Sequence, residues 1–226
     1  MQELAAVVVV FGSGAMFLFK NETQSIEEVG TITDGILAAS WSPNQEHFAV
    51  ATAAGKLIIF STEFEATLEA NIDDGDMTFT DEKKDETITE AQISWREDSI
   101  TFAINYSING GHKCLTRDVS KNLLVMKGPA RADNTVVFSV SEKPVPALQL
   151  PICMMPNGSL VTGFSRRSLP NGKVCPEVVF WERNGLRHGE FVLPKAVDDA
   201  KTQVHEFAYN IDSSLLAIHL TLDAQE

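Results

Sequence analysis

Apolar residues in this chain come in short runs parted by small polar clusters, and that spacing selects strands. Ala5–Phe11, Ala15–Lys20, Lys56–Phe60 and Glu177–Trp181 are too short for stable helices, rich in Val, Ile and Phe, and flanked by turn-forming residues. No amphipathic helix longer than two turns can be read in the sequence. Four hairpins repeat one layout: a strand ending in a bulky residue, a polar turn, then a second apolar strand. They span Ser40–Val50, Ser94–Ala103, Met154–Val161 and Tyr209–Ala217, and their bulky residues Trp41, Trp95, Met154 and Tyr209 are spaced by 54, 59 and 55 positions. Such regular recurrence marks a repeat architecture.

Third and fourth strands follow some of these hairpins. Lys56–Phe60, Glu177–Trp181 and Met16–Phe19 read as third strands; Ala66–Ala70 and Gly189–Leu193 read as weaker fourth strands. Runs apolar on both sides need cover on both faces, which stacked four-stranded blades provide. The prediction is an all-β, WD40-like β-propeller, incomplete, with about three fuller blades plus two partial ones in a single partial propeller domain over 1–226. The first strands match the second and third strands of a unit, and Leu215–Leu220 only the second strand of another. An arc of this kind leaves strand edges and apolar faces open. Because the repeat exceeds the usual 40–45 residues, long connections are expected. One is an acidic loop at about 72–90, within a Glu63–Glu90 stretch holding eleven acidic residues against Lys83 and Lys84. It reads as a solvated segment, or as a docking surface for a basic partner.

Leu4–Phe19 lacks charged residues and resembles a signal-peptide core. However, Glu3 rather than Lys or Arg precedes it and Gly12-Ser13-Gly14 interrupts it, so a hairpin is the better reading. A net charge of −13 and a pI near 4.8 argue against direct binding to nucleic acid or anionic membranes. Cys114, Cys153 and Cys175 are odd in number and widely spaced, which excludes a disulfide framework or Cys-x-x-Cys site and fits a reducing compartment.

No catalytic constellation emerges. There is no nucleophile elbow, phosphate loop or His-Glu-x-x-His pair, so no catalytic residue, metal or cofactor is predicted and the chain is expected not to be an enzyme. His188 and His205 read as packed or hydrogen-bonded residues rather than ligands. Asn21, Asn105 and Asn157 match glycosylation acceptors of the kind that arise by chance. Arg166, Arg167 and Lys173 lie on what reads as one long loop, with Arg183 and Arg187 a hairpin away. They form a tentative partner-binding basic rim, although no aromatic residues interleave them.

Several islands carry a more specific likeness. Val29–Glu46, the strand Phe64–Glu69, the run Val179–Pro194 with its Glu-Arg-Asn-Gly-Leu-Arg-His-Gly core, and Tyr209–Ala217 together resemble the amino-terminal propeller of the largest scaffold subunit of the Elongator complex. The Val179–Pro194 run is the most specific, since it is no generic propeller consensus. The islands cover nearly the whole chain, as a partial or divergent copy. Gly-Trp-Gly and Gln-Phe-His-Gly segments expected of the family are absent from Asp73–Thr89, and the family's second propeller and helical half have no counterpart in the sequence.

The resemblance implies a non-catalytic scaffold segment. Its expected partners are the other Elongator subunits, a second propeller subunit and a catalytic subunit that modifies the tRNA wobble uridine. Contact with tRNA would be indirect and membrane binding absent, in a cytoplasmic and also nuclear setting. The alternatives are an unrelated WD40-type adaptor in another assembly, distinguished by partner identity, and a propeller hydrolase, which needs a nucleophile–base pair.

Overall fold

Phe48–Thr52 is buried at every position, as is most of Lys56–Phe60 beside it. Burial of consecutive residues means both faces of their sheet are covered, and the rest of the architecture follows from that requirement. The computed structural model describes residues 6–72, 88–108, 111–119, 124–125, 148–158, 160–182, 187–193 and 202–221. Among these residues it contains seventeen strands in five antiparallel sheets and no α-helix.

Blade I is the three-stranded sheet β1 (Ala6–Val10), β2 (Ala15–Lys20) and β3 (Ser25–Thr31). Blade II is β4 (Ile36–Trp41), β5 (Phe48–Thr52), β6 (Lys56–Phe60) and β7 (Ala66–Asn71). Blade III comprises β8 (Ala91–Trp95), β9 (Thr101–Ile108), β10 (Gly111–Asp118) and β11 (Leu124–Val125). Blade IV comprises β12 (Leu148–Met154), β13 (Leu160–Ser168), β14 (Val174–Glu182) and β15 (Arg187–Val192). Blade V is the pair β16 (Gln203–Tyr209) and β17 (Leu216–Thr221). Three full and two partial blades, not closed into a ring, make this an incomplete β-propeller.

The first strands β4, β8, β12 and β16 pack against one another in series and form the inner side of the arc. Between blades II and III, Ala49, Leu57 and Ile59 meet Ile93, Phe102 and Ile104 in one apolar cluster. Between blades III and IV the contact is Ala103 and Cys114 against Ile152, Met154 and Val161. Blades at the ends of the arc lose one of these covers. The Val-rich β1 therefore keeps Val7 and Val9 exposed while Val8 and Val10 are half-buried, and β17 alternates in the same way. Phe11, Ile211 and Leu215 add to the exposed apolar surface at the two ends.

Glycine fixes the first crossing between blades. Gly14 has φ +102°, and a Cβ there would lie 1.9 Å from the Ile32 carbonyl oxygen. That closeness lets the Ile32 N–H donate to the Gly14 carbonyl at 3.0 Å, while Ile36 donates to Gly12 at 3.1 Å. The Leu4–Phe19 run is accordingly a hairpin over its described residues, with β1 and β2 paired from Ala6–Lys20 to Val10–Met16.

Two expectations are adjusted. Arg166 and Arg167 stand on β13 rather than on a loop, because β13 and β14 run nine residues each and leave only a short Leu169–Lys173 turn. The polar strands β3 and β10 and the two-residue β11 add to those read from apolar runs. Most of the acidic loop at 72–90 lies outside the described residues; its flanks Ile72 and Ile88 are buried in the blade II–III cluster.

Candidate functional site

The seams between blades are held by polar contacts at repeat-equivalent positions. The Asn44 N–H donates to Ser99 Oγ at 2.9 Å and the Asn157 N–H to Ser213 Oγ at 3.0 Å. Ser99 and Ser213 both hold positive φ, 59° and 61°, at the last position of their turns. Between blades III and IV, where Gly158 replaces the serine, the bonds come from the strands instead. Met154 N–H donates to Ser94 Oγ at 2.8 Å, and Ile152 N–H to Gln92 Oε1 at 2.7 Å. Trp95 Nε1 donates to the Ser40 carbonyl at 3.2 Å, and Tyr209 shares a hydroxyl–hydroxyl bond with Thr162. The bulky repeat residues Trp95 and Tyr209 thus link neighbouring blades.

The arginines of the expected basic rim are engaged within the fold. Arg166 donates through Nε to Gln149 Oε1 at 2.9 Å and through Nη2 to the Thr202 carbonyl, with its guanidinium 5.2 Å from the Phe164 ring centroid. Arg167 approaches Glu177 at 3.4 Å and Glu190 at 3.8 Å. Arg187 pairs with the same two carboxylates, at 3.1 Å each. Glu177 is 2% exposed, so two half-exposed arginines clamp a buried carboxylate on the face of blade IV. Lys173 is exposed in the β13–β14 turn, where its N–H donates to Asn171 Oδ1 at 3.0 Å. Arg183 lies outside the described residues.

A polar cleft of about 400 Å³ opens where the inner strands of blades III to V begin, with Glu90, His112, Gln149, Arg166, Gln203 and His205 among its walls. Burial pushes the His112 imidazole below its usual range, against the opposing pull of Glu90, and His112 Nδ1 lies 3.2 Å from Asn105 Oδ1. His205 is exposed, 2.6 Å from Thr221 Oγ1, and its ring lies 5.0 Å from that of His219. Sequence reasoning did not single out this cleft, because its residues come from three blades and no local motif joins them.

The other candidates have structural partners. His188 Nδ1 is 3.4 Å from Glu182 Oε1. Asn105 is fully buried and donates to the Gln149 carbonyl at 3.3 Å, and Asn157 Nδ2 donates to the Ile211 carbonyl at 2.7 Å. All three cysteines are free, and burial pushes the Cys114 and Cys153 thiols up, away from reactivity. Among the described residues no group of three His, Cys, Asp or Glu side chains could hold a metal ion. No helix among them is long and apolar enough to cross a membrane.

Serially packed antiparallel blades with inner strands side by side define the β-propeller class. Within that class the chain matches the family described as the ELP1 first N-terminal β-propeller, over residues 1–89 and 76–225. It belongs to that family. Elongator complex protein 1 of Rattus norvegicus is 30% identical over 95% of this chain and 17% of the relative. The Schizosaccharomyces pombe protein of the same name is 28% identical over 85% of this chain and 16% of the relative. The chain thus spans about a sixth of the length of these curated relatives.

Proposed function

We propose that this chain is a non-catalytic scaffold segment of an Elongator complex. The observation that carries the reading is the family match along almost the entire chain, reinforced by Elongator complex protein 1 relatives in mammals and yeast. Propellers present rigid rims and faces to partners, and the seam bonds of Ser99, Ser94 and Ser213 suit a rigid segment. In this role it joins a second propeller subunit and a catalytic subunit, in a cytoplasmic setting, and that catalytic subunit modifies the tRNA wobble uridine. The chain itself positions the machinery and meets tRNA only indirectly.

Lys173, exposed at its turn, is the member of the Arg166, Arg167 and Lys173 rim best placed to face a partner. The test is affinity capture of the endogenous protein from its own cells, with mass spectrometry of the captured proteins. Co-capture of Elongator subunits is expected; their absence alongside another assembly would overturn the proposal. Lys173→Glu is expected to lower co-capture of the other Elongator subunits in a salt-dependent way, and unchanged co-capture would remove Lys173 from the rim.

A further inference from the structure

The polar cleft at the start of the inner strands of blades III to V contains two hydrogen-bond acceptors that bind nothing else among the described residues. Ser107 fixes the Glu90 main chain from both sides, accepting its N–H through Oγ at 2.9 Å and donating its own N–H to the Glu90 carbonyl at 2.9 Å. The Glu90 carboxylate lines the cleft and has no hydrogen-bond or ion-pair partner among the described residues. His112 supplies the second acceptor. Asn105 is fully buried and spends its amide N–H on the Gln149 carbonyl at 3.3 Å, so its Oδ1 is the acceptor facing His112 Nδ1 at 3.2 Å. Nδ1 therefore carries the ring proton, and burial keeps the imidazole neutral at neutral pH. Nε2 is left with a lone pair and no partner among the described residues.

The remaining walls decide what these two acceptors can hold. Among the described residues no group of three His, Cys, Asp or Glu side chains could hold a metal ion, which leaves a hydrogen-bond donor as the ligand. Arg166 commits Nε to Gln149 and Nη2 to the Thr202 carbonyl and stacks on Phe164, while Glu90 offsets its charge. Leu150 and Val204 add apolar lining, and about 400 Å³ has room for an aliphatic stem. We propose that the cleft binds an alkylammonium group, the chemistry of a lysine side chain. Its N–H donors meet the Glu90 carboxylate and His112 Nε2, and its methylene stem lies along Leu150 and Val204. An ammonium has three donors and no acceptor, so it satisfies both groups at once, and its bond to the carboxylate is charge-assisted.

The probe is N-acetyl-lysine methylamide, titrated into the full 226-residue chain labelled with nitrogen-15 at histidine and followed by nuclear magnetic resonance. Saturable binding is expected, with the His112 Nε2 resonance moving while Nδ1, held by Asn105, stays in place. The norleucine analogue, which keeps the stem without the ammonium, should bind about tenfold more weakly or not at all. The trimethyl-lysine analogue keeps the charge but has no N–H donor, and should fall by a similar factor. Glu90 is exposed, so Glu90→Gln should lower affinity about tenfold with an unchanged circular dichroism spectrum. Titration of 1,5-diaminopentane alongside distinguishes a free amine from a lysine side chain as the source, and either ranking upholds the ammonium site. Equal affinity for the trimethyl or norleucine analogue, indifference to Glu90→Gln, or an unmoved Nε2 resonance at saturation would each overturn the proposal. So would the absence of saturable binding by either amine.

Discussion

The Asn44 N–H and the Ser99 hydroxyl, 55 residues apart, meet at 2.9 Å and join the tip of blade II to the tip of blade III. Ser99 is 3% exposed and held at φ 59°, a backbone region that serine seldom occupies. The Asn157–Ser213 bond repeats the arrangement between blades IV and V. Replacing Ser99 with Ala takes the acceptor from the Asn44 N–H without relieving the backbone. Ser99→Ala is expected to cost about 1–2 kcal/mol, read from the urea midpoint, and Ser213→Ala less because its seam is more open.

Gly14 carries a different kind of constraint. Any Cβ there collides with the Ile32 carbonyl, and backbone cannot yield as a flexible side chain does. Gly14→Ala should destabilise by about 3 kcal/mol or more, whereas Gly172→Ala should cost about 1 kcal/mol. Gly172 has φ +77° but open space around it, so the pair separates collision from backbone preference.

The hairpins, their order and the unfinished ends were legible in the sequence because apolar alternation and turn residues are local signals. β3 was not, since as the outermost strand of its blade it turns Glu27 and Glu28 to solvent. β10 escaped for the opposite reason. Arg117 and Thr116 are buried in it, and Arg117 reaches across to the Ile72 carbonyl, a partner that no local pattern reveals. Arg166 and Arg167 read as loop residues beside Pro170-Asn171-Gly172, yet the strands extend past them because Glu177 and Gln149 hold their charge.

That clamp yields a third prediction. Glu177→Gln leaves Arg167 and Arg187 facing a neutral amide and should cost about 2 kcal/mol. Glu190→Gln, whose carboxylate sits at the exposed end of the same network, should cost under about 1 kcal/mol. Chemical denaturation of the two variants in parallel checks the ranking.

Acid should weaken the fold in two separate windows. Burial holds the His112 imidazole below its ordinary value of 6.5, so its stabilising contribution is complete above that pH and is lost as pH falls through the folded value. Burial pushes the Asp98 carboxyl up, but bonds from Arg96 and the Ile100 and Thr101 N–H groups outweigh it and hold the group below 3.8. Its contribution is likewise present above the unfolded value and lost at more acidic pH. His112→Gln should flatten the stability profile just below pH 6.5, and Asp98→Asn only below about pH 4.

Hydrogen exchange on the intact 226-residue chain tests the open arc most directly. Exchange should be slowest in β5, β6 and β9, which are covered on both faces, and fast along β1 and β17, each of which has one edge without a strand partner among the described residues. Protection of β1 and β17 equal to that of β5 would contradict the arc and require a ring that closes on itself.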